Sequence, residues 1–162
     1  MNQSYQCRVQ FQSPPSVVYQ ALTTPEGLRG WWTTDCEVNP EIGGVHRFYF
    51  EKVLFNGMRV TELVPDRVVH WTCVEGWSEW LDTEVLFTLT ETADGGTELL
   101  FEHRGLQPVL KCYKMCSQGW DNFIKGSLQA YVDTGKGHPH VPKFGLMGKL
   151  AGTAFKVFSR RY

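Results

Sequence analysis

Residues 81–104 read LDTEVLFTLTETADGGTELLFEHR. Val85, Phe87 and Leu89 alternate with Leu86, Thr88 and Thr90, and after Asp94-Gly95-Gly96 the residues Leu99, Phe101 and His103 again share a face. That period of two marks strands, whose successive side chains point to opposite faces. Asp-Gly-Gly between two such runs is a hairpin signal, so the strands pair antiparallel.

Working upstream, Arg67–Val74 follows Pro65-Asp66 and Val45–Glu51 follows Gly43-Gly44, with His46, Phe48 and Phe50 on one face. Asn56-Gly57 reads as a second hairpin turn, ahead of a strand over Met58–Leu63. At the start, Tyr5, Cys7, Val9 and Phe11 alternate with Gln6, Arg8 and Gln10, which is a half-buried strand. Ser13-Pro14-Pro15 then opens a short helix carrying Val17, Val18, Ala21 and Leu22. Thr24-Pro25-Glu26 opens another, with Leu28, Trp31 and Trp32 on its buried side.

Downstream the period lengthens. Trp120, Phe123, Ile124, Leu128, Tyr131 and Val132 fit one face of a long helix, with Ser117 as its cap and Gly135 as its end. The order is strand, two short helices, about six strands, long helix. It predicts an α+β domain over 1–134, in which helices cover one face of an antiparallel sheet. A linker and a C-terminal segment occupy 135–162.

The composition, 42% hydrophobic and 20% charged over 162 residues, is that of a globular chain and excludes disorder. No apolar run is long enough to span a membrane, and the first residues lack the plan of a secretory signal. Five cysteines cannot all pair, which predicts a reduced, cytoplasmic protein. Charge is divided unevenly: residues 1–133 hold 17 acids and 10 bases, whereas 134–162 hold six bases and no acid.

Pro15–Leu28, Trp31-Trp32, Gly43-Gly44, Val64-Pro65-Asp66-Arg67, Gly95-Gly96-Thr97 and Gly119-Trp120 resemble, in order and rough spacing, the activator-of-heat-shock-ATPase (AHSA-like) group of the START-like, or SRPBCC, superfamily. The resemblance covers about residues 5–133. It implies a helix-grip fold, as in birch-pollen allergen, with a curved sheet wrapped around the C-terminal helix and an apolar cavity between them. The superfamily includes lipid carriers, ligand sensors, cyclases and chaperone co-factors, and a shared fold does not choose among them.

An apolar cavity with a few polar groups is the usual small-ligand site. Its expected wall is Trp31, Phe48, Phe50, Trp71, Phe87, Phe101, Trp120 and Phe123, with Trp32 beside them and Trp77 and Trp80 at the mouth. His46, His70 and His103 fall on strands, and the first two depart from the apolar residues usual in the resembling group. As core groups they need hydrogen-bond partners; in a cavity they, or Glu75, would orient a ligand's polar end. Cys112 and Cys116 lack metal or redox spacing and read as buried apolar residues. No metal site, cofactor loop, nucleophile elbow or basic nucleic-acid surface is indicated. His138-Pro139-His140 is too short to close a metal site.

Three readings of function follow. The first is a non-catalytic binder of a small apolar or amphipathic ligand. The second is a chaperone co-factor or other protein-binding domain, although the group's chaperone activators usually carry a second domain. The third is a cyclase-type enzyme using a cavity imidazole. Beyond them, at ~100° per residue, Phe144, Met147, Leu150, Ala151, Ala154, Phe155, Val157 and Phe158 fall on one half of a helical wheel. Lys149, Lys156 and Arg160 fall on the other. Residues 143–162 are therefore expected as a basic amphipathic segment, for packing on the domain, on a second copy or on an anionic membrane surface. Disorder is the remaining alternative, because Gly145, Gly148 and Gly152 weaken the helix.

Overall fold

The computed structural model describes residues 4–143. The chain runs β1 (Tyr5–Phe11), α1 (Pro15–Thr23), α2 (Pro25–Trp31), β2 (Cys36–Glu37), β3 (Val45–Phe50), β4 (Val53–Val64), β5 (Val68–Gly76), β6 (Glu84–Glu91) and β7 (Thr97–Arg104). A continuous helical rod follows: α3 (Tyr113–Trp120), a wider π-helical stretch (Asp121–Leu128) and α4 (Gln129–Thr134). The strands form one antiparallel sheet in the order β1-β7-β6-β5-β4-β3-β2. The α+β, helix-grip expectation holds.

Three bulges bend this sheet. Phe55 is the extra residue of β4 against β3, Thr61 that of β4 against β5, and Val74 that of β5 against β4. Each raises the local twist and helps the sheet curl. The inner face carries the core, where Val69, Trp71, Val85, Phe87, Leu99 and Phe101 are fully buried. Trp31 and Trp32 of the α2 end stack at 5.7 Å, and Trp32 reaches Phe48, Trp71 and Trp120 at 4.1, 6.2 and 5.1 Å between ring centres. Among the described residues no helix is long and apolar enough to cross a membrane.

Local signals are mostly honoured. Thr24 caps α2 by accepting from Gly27 N at 3.0 Å, and Gly135 ends the rod with φ +84°. Four expectations are corrected. Asn56-Gly57 is no turn: it lies inside β4, and the hairpin closes at Glu51-Lys52, both left-handed (φ 54° and 68°). The rod begins at Tyr113, a turn before Ser117, whose hydroxyl bonds back to Lys114 O. The strand expected from Leu81 begins at Glu84, because Leu81 and Asp82 belong to a turn. Ser13 does not cap α1; Pro14 holds that position, and Ser13 instead meets the Asp133 carboxylate at the end of the rod. The two-residue β2 is an addition that the pattern did not signal.

The stretch after Gly135 lies on the domain. His138 N donates to Ser127 Oγ at 2.7 Å, and Thr33 pairs with His140 as a parallel bridge. The segment 144–162 lies outside the described residues.

Candidate functional site

Antiparallel order brings the C-terminal ends of β3, β5 and β7 to one end of the sheet. There the Glu51-Lys52 hairpin, the 77–83 loop and the 105–112 loop gather around the start of α3. A cleft of about 340 Å³ opens at this end, lined by Trp32, Phe50, Phe55, Trp77, Trp80, Met115, Cys116, Gly119, Trp120 and Phe123. Phe50, Phe55 and Trp77 also wall a neighbouring groove of about 480 Å³ that includes Val53, Leu54 and Ser78.

Sequence reading placed Trp32, Phe50, Trp77, Trp80, Trp120 and Phe123 among the candidate aromatics, and these six meet at the cleft. Trp31, Phe48, Trp71, Phe87 and Phe101 are instead packed core with no exposed surface to speak of. Phe55, Met115, Cys116 and Gly119 were missed. The helical set was legible as a stripe at i, i+4, i+8 (Met115, Gly119, Phe123) beside Cys116 and Trp120; Phe55 was hidden by the false turn signal that follows it.

The polar atoms behind this wall are occupied internally. Trp120 Nε1 donates to His103 Nδ1 at 3.0 Å, and His103 Nε2 lies 2.8 Å from Thr83 Oγ1. Because an indole can only donate, His103 Nδ1 must be the bare nitrogen and Nε2 must carry the proton. Thr83 in turn donates to Trp80 O, so a one-way chain of hydrogen bonds ties the rod, β7 and the 77–83 loop together. Trp80 Nε1 donates to Cys116 Sγ at 3.3 Å. Burial holds His103 down at about 3, since a second N–H would confront the Trp120 donor in a dry site.

His46 is also buried, with Nδ1 accepting from Asn39 N at 3.0 Å and its ring edge-on to Trp71 at 5.4 Å. Desolvation brings it to about 4. Neither imidazole lines the cleft. His70 cannot share the inner face with its neighbour Trp71; it stands on the outer face, 3.0 Å from Glu84 Oε1 but out of hydrogen-bond alignment. Glu75 is likewise turned outward by the Val74 bulge, where Arg47 grips it with two bonds of 2.9 Å. Between them in the ladder sits Gly57, where a Cβ would come within 2.9 Å of Glu75. All five cysteines are free and buried, with Cys73 pushed up to about 11 and Cys112 to about 12 chiefly by burial. No cluster of His, Cys, Asp and Glu among the described residues could hold a metal ion.

The cleft therefore offers aromatic faces, one thioether and one thiol. It can enclose apolar surface, and its lining holds no carboxylate, imidazole, lysine or arginine side chain.

The profile of the family described as "Activator of Hsp90 ATPase homolog 1-like protein" matches residues 12–133. Among solved structures, the Aha1 dimer of Colwellia psychrerythraea is 29% identical, with a TM-score of 0.74, covering 83% of this chain and 99% of that one. A protein of Mesorhizobium loti is 24% identical (TM-score 0.65; 75% and 91% covered). An HSP90 activator of Plasmodium falciparum is 20% identical (TM-score 0.63; 75% and 90% covered). No curated protein matches the chain.

Proposed function

The chain belongs to the Activator of Hsp90 ATPase homolog 1-like family, and from that premise we propose that it binds a small apolar or amphipathic molecule in the aromatic cleft. The cleft itself carries this reading: about 340 Å³ of space lined by seven aromatic side chains, at the low end of the size of ligand sites. At ~25 cal/mol per Å², a molecule hiding roughly 250 Å² of apolar surface gains about 6 kcal/mol before the entropic cost of association, so a dissociation constant of the order of tens of micromolar is the tightest that this burial alone allows. With no ionic group in the lining, a polar end of the ligand would face the mouth. The cyclase reading loses support, because the two buried imidazoles are engaged elsewhere. Five free buried thiols support a reducing compartment, the cytoplasm.

Titration with the neutral fluorophore N-phenyl-1-naphthylamine, read by energy transfer from tryptophan, tests the reading. Saturable binding at one site is expected, and its loss when Gly119→Leu fills the cleft. Binding that does not saturate, or is unchanged in that variant, removes the proposal. A second reading, contact with a chaperone, draws support from the family and from the similar Plasmodium falciparum HSP90 activator. It predicts stimulation of an Hsp90 ATPase by the full chain.

A further inference from the structure

We propose that the ligand of the aromatic cleft carries a neutral carboxamide or lactam group, and that Asn56 is the residue that reads it. This rests on the cleft being a ligand site and adds the chemistry of the ligand's head. Asn56 departs from the other polar groups behind the cleft wall. It is fully buried, and among the described residues neither its Oδ1 nor its Nδ2 has a hydrogen-bond partner. Such a group is rare in a folded protein, because burying an unpaired amide forfeits the bonds it made to water. The other orphaned nitrogens differ in kind. His70 and His140 each stand beside a carboxylate, of Glu84 and Glu51. The Trp71 N–H is a single donor on a ring set among others, with Trp32 at 6.2 Å and Phe87 at 5.1 Å. Among the described residues, only Asn56 leaves a buried donor and acceptor side by side.

The strand register aims this amide inward. Asn56 lies opposite Phe48 of β3, and residues paired across strands share a face. Phe48 is core, its ring 4.1 Å from that of the cleft residue Trp32. On the other side Asn56 pairs with Gly76, which has no side chain to cover it. Its neighbours border open space: Phe55 lines the cleft, and Phe55 and Gly76 both line the adjoining groove. A head group arriving from the cleft meets the amide beside the Phe55 ring, which turns from its edge-on contacts with Trp77 and Trp80 (5.4 and 5.1 Å) to admit it.

The free edge of an asparagine offers one acceptor and one N–H donor, and the matching edge is that of another amide, joined by two parallel bonds. A carboxylate does not fit. One of its oxygens would face Oδ1, acceptor against acceptor, and Arg47 is turned outward onto Glu75 and cannot balance the charge. A purely apolar molecule leaves both Asn56 atoms as they are. An ionised end therefore still faces the mouth, whereas a neutral amide turns inward.

Naphthalene-2-carboxamide and 2-methylnaphthalene, one shape with and without the head, test this by displacement of N-phenyl-1-naphthylamine and by NMR of side-chain amides. The carboxamide should shift the Asn56 Nδ2 proton signals of the wild type. In Asn56→Leu, which keeps the shape and removes the orphaned pair, the dye should still bind and melting should be no lower. The affinity ratio of carboxamide to methylnaphthalene should fall about tenfold there, as for the loss of two net hydrogen bonds. An unchanged ratio, or Asn56 signals that stay put in carboxamide at its solubility limit, overturns the proposal. Should the variant not fold, the wild-type Asn56 signals decide. If the dye fails on the wild type while the carboxamide still moves Asn56, this proposal stands and dye binding in the cleft falls; if neither happens, both fall.

Discussion

His103 shows how one buried residue acquires a role that its type does not specify. Its two nitrogens bridge a donor on the rod and a hydroxyl beside the 77–83 loop, and only one tautomer satisfies both. Replacing Trp120 by phenylalanine keeps most of the packing but strands the Nδ1 acceptor, and should cost about 1–3 kcal/mol. Trp120→Ala should cost about 3–5 kcal/mol, because the ring also packs on Phe101 at 4.5 Å and Trp80 at 5.7 Å. Urea unfolding of both variants checks the order. The same burial makes stability depend on pH. His46 and His103 titrate near the ordinary ~6.5 in the unfolded chain but at about 4 and about 3 in the fold. The unfolded chain therefore binds more protons, so their contribution is full above pH 6.5 and is lost as pH falls toward those values. Each imidazole sets a slope of about 1.4 kcal/mol per pH unit in that window. His46→Gln should remove one such increment between pH 6 and 5 in urea unfolding; an unchanged slope would show that the imidazole is solvated.

Among the elements, the β3-β4 hairpin departs most from its sequence signal. Asn56-Gly57 carries the strongest short turn motif in the chain, yet the turn forms five residues earlier on Glu51-Lys52, two residues that resist positive φ. Lys52→Gly should relieve that strain and stabilise by about 0.5–1 kcal/mol, read as a raised melting temperature, since its exposed contact with Asp35 is worth little. Gly57 is needed where it is because the Arg47–Glu75 pair closes over it. Gly57→Val should therefore destabilise by about 1–3 kcal/mol. In the rod, a Cβ at Gly119 meets nothing within 4 Å. Gly119→Leu should thus leave melting unchanged or raise it by up to about 1 kcal/mol equivalent, while closing the cleft. Loss of thermal stability would mean that this part of the wall is already packed.

For the molecule as a whole, the cleft follows from topology. Phe50 at the end of β3, Phe55 of β4, the loop after β5 and the first turns of the rod converge at one end, and no one element supplies the wall. The interior thiols report on how tightly the whole fold is closed. At pH 8 Cys7, Cys36, Cys73 and Cys112, which are buried and do not line the cleft, should resist a disulfide reagent in the native protein and react in denaturant. Rapid reaction of one or more without denaturant would reveal an opening that this packing does not contain.

The helices, most strands and the Gly135 stop were legible in the sequence because they follow from backbone periods of 3.6 and 2 and from local capping, which neighbours in the chain decide. The aromatic inventory of the cleft was legible in part for the same reason, since Phe50, Trp120 and Phe123 lie on apolar faces. Which of those rings would pack solid and which would border open space was not. Trp71 and Phe87 sit mid-sheet with partners on every side, whereas Phe50 and Trp77 sit where the sheet ends; that difference exists only once the strands are assembled. His70 illustrates the rule of alternation, for with Trp71 inward it had to point out. Glu75 illustrates its limit: a single extra residue at Val74 reversed its face, and a bulge is set by the pairing of two strands, which no single strand encodes.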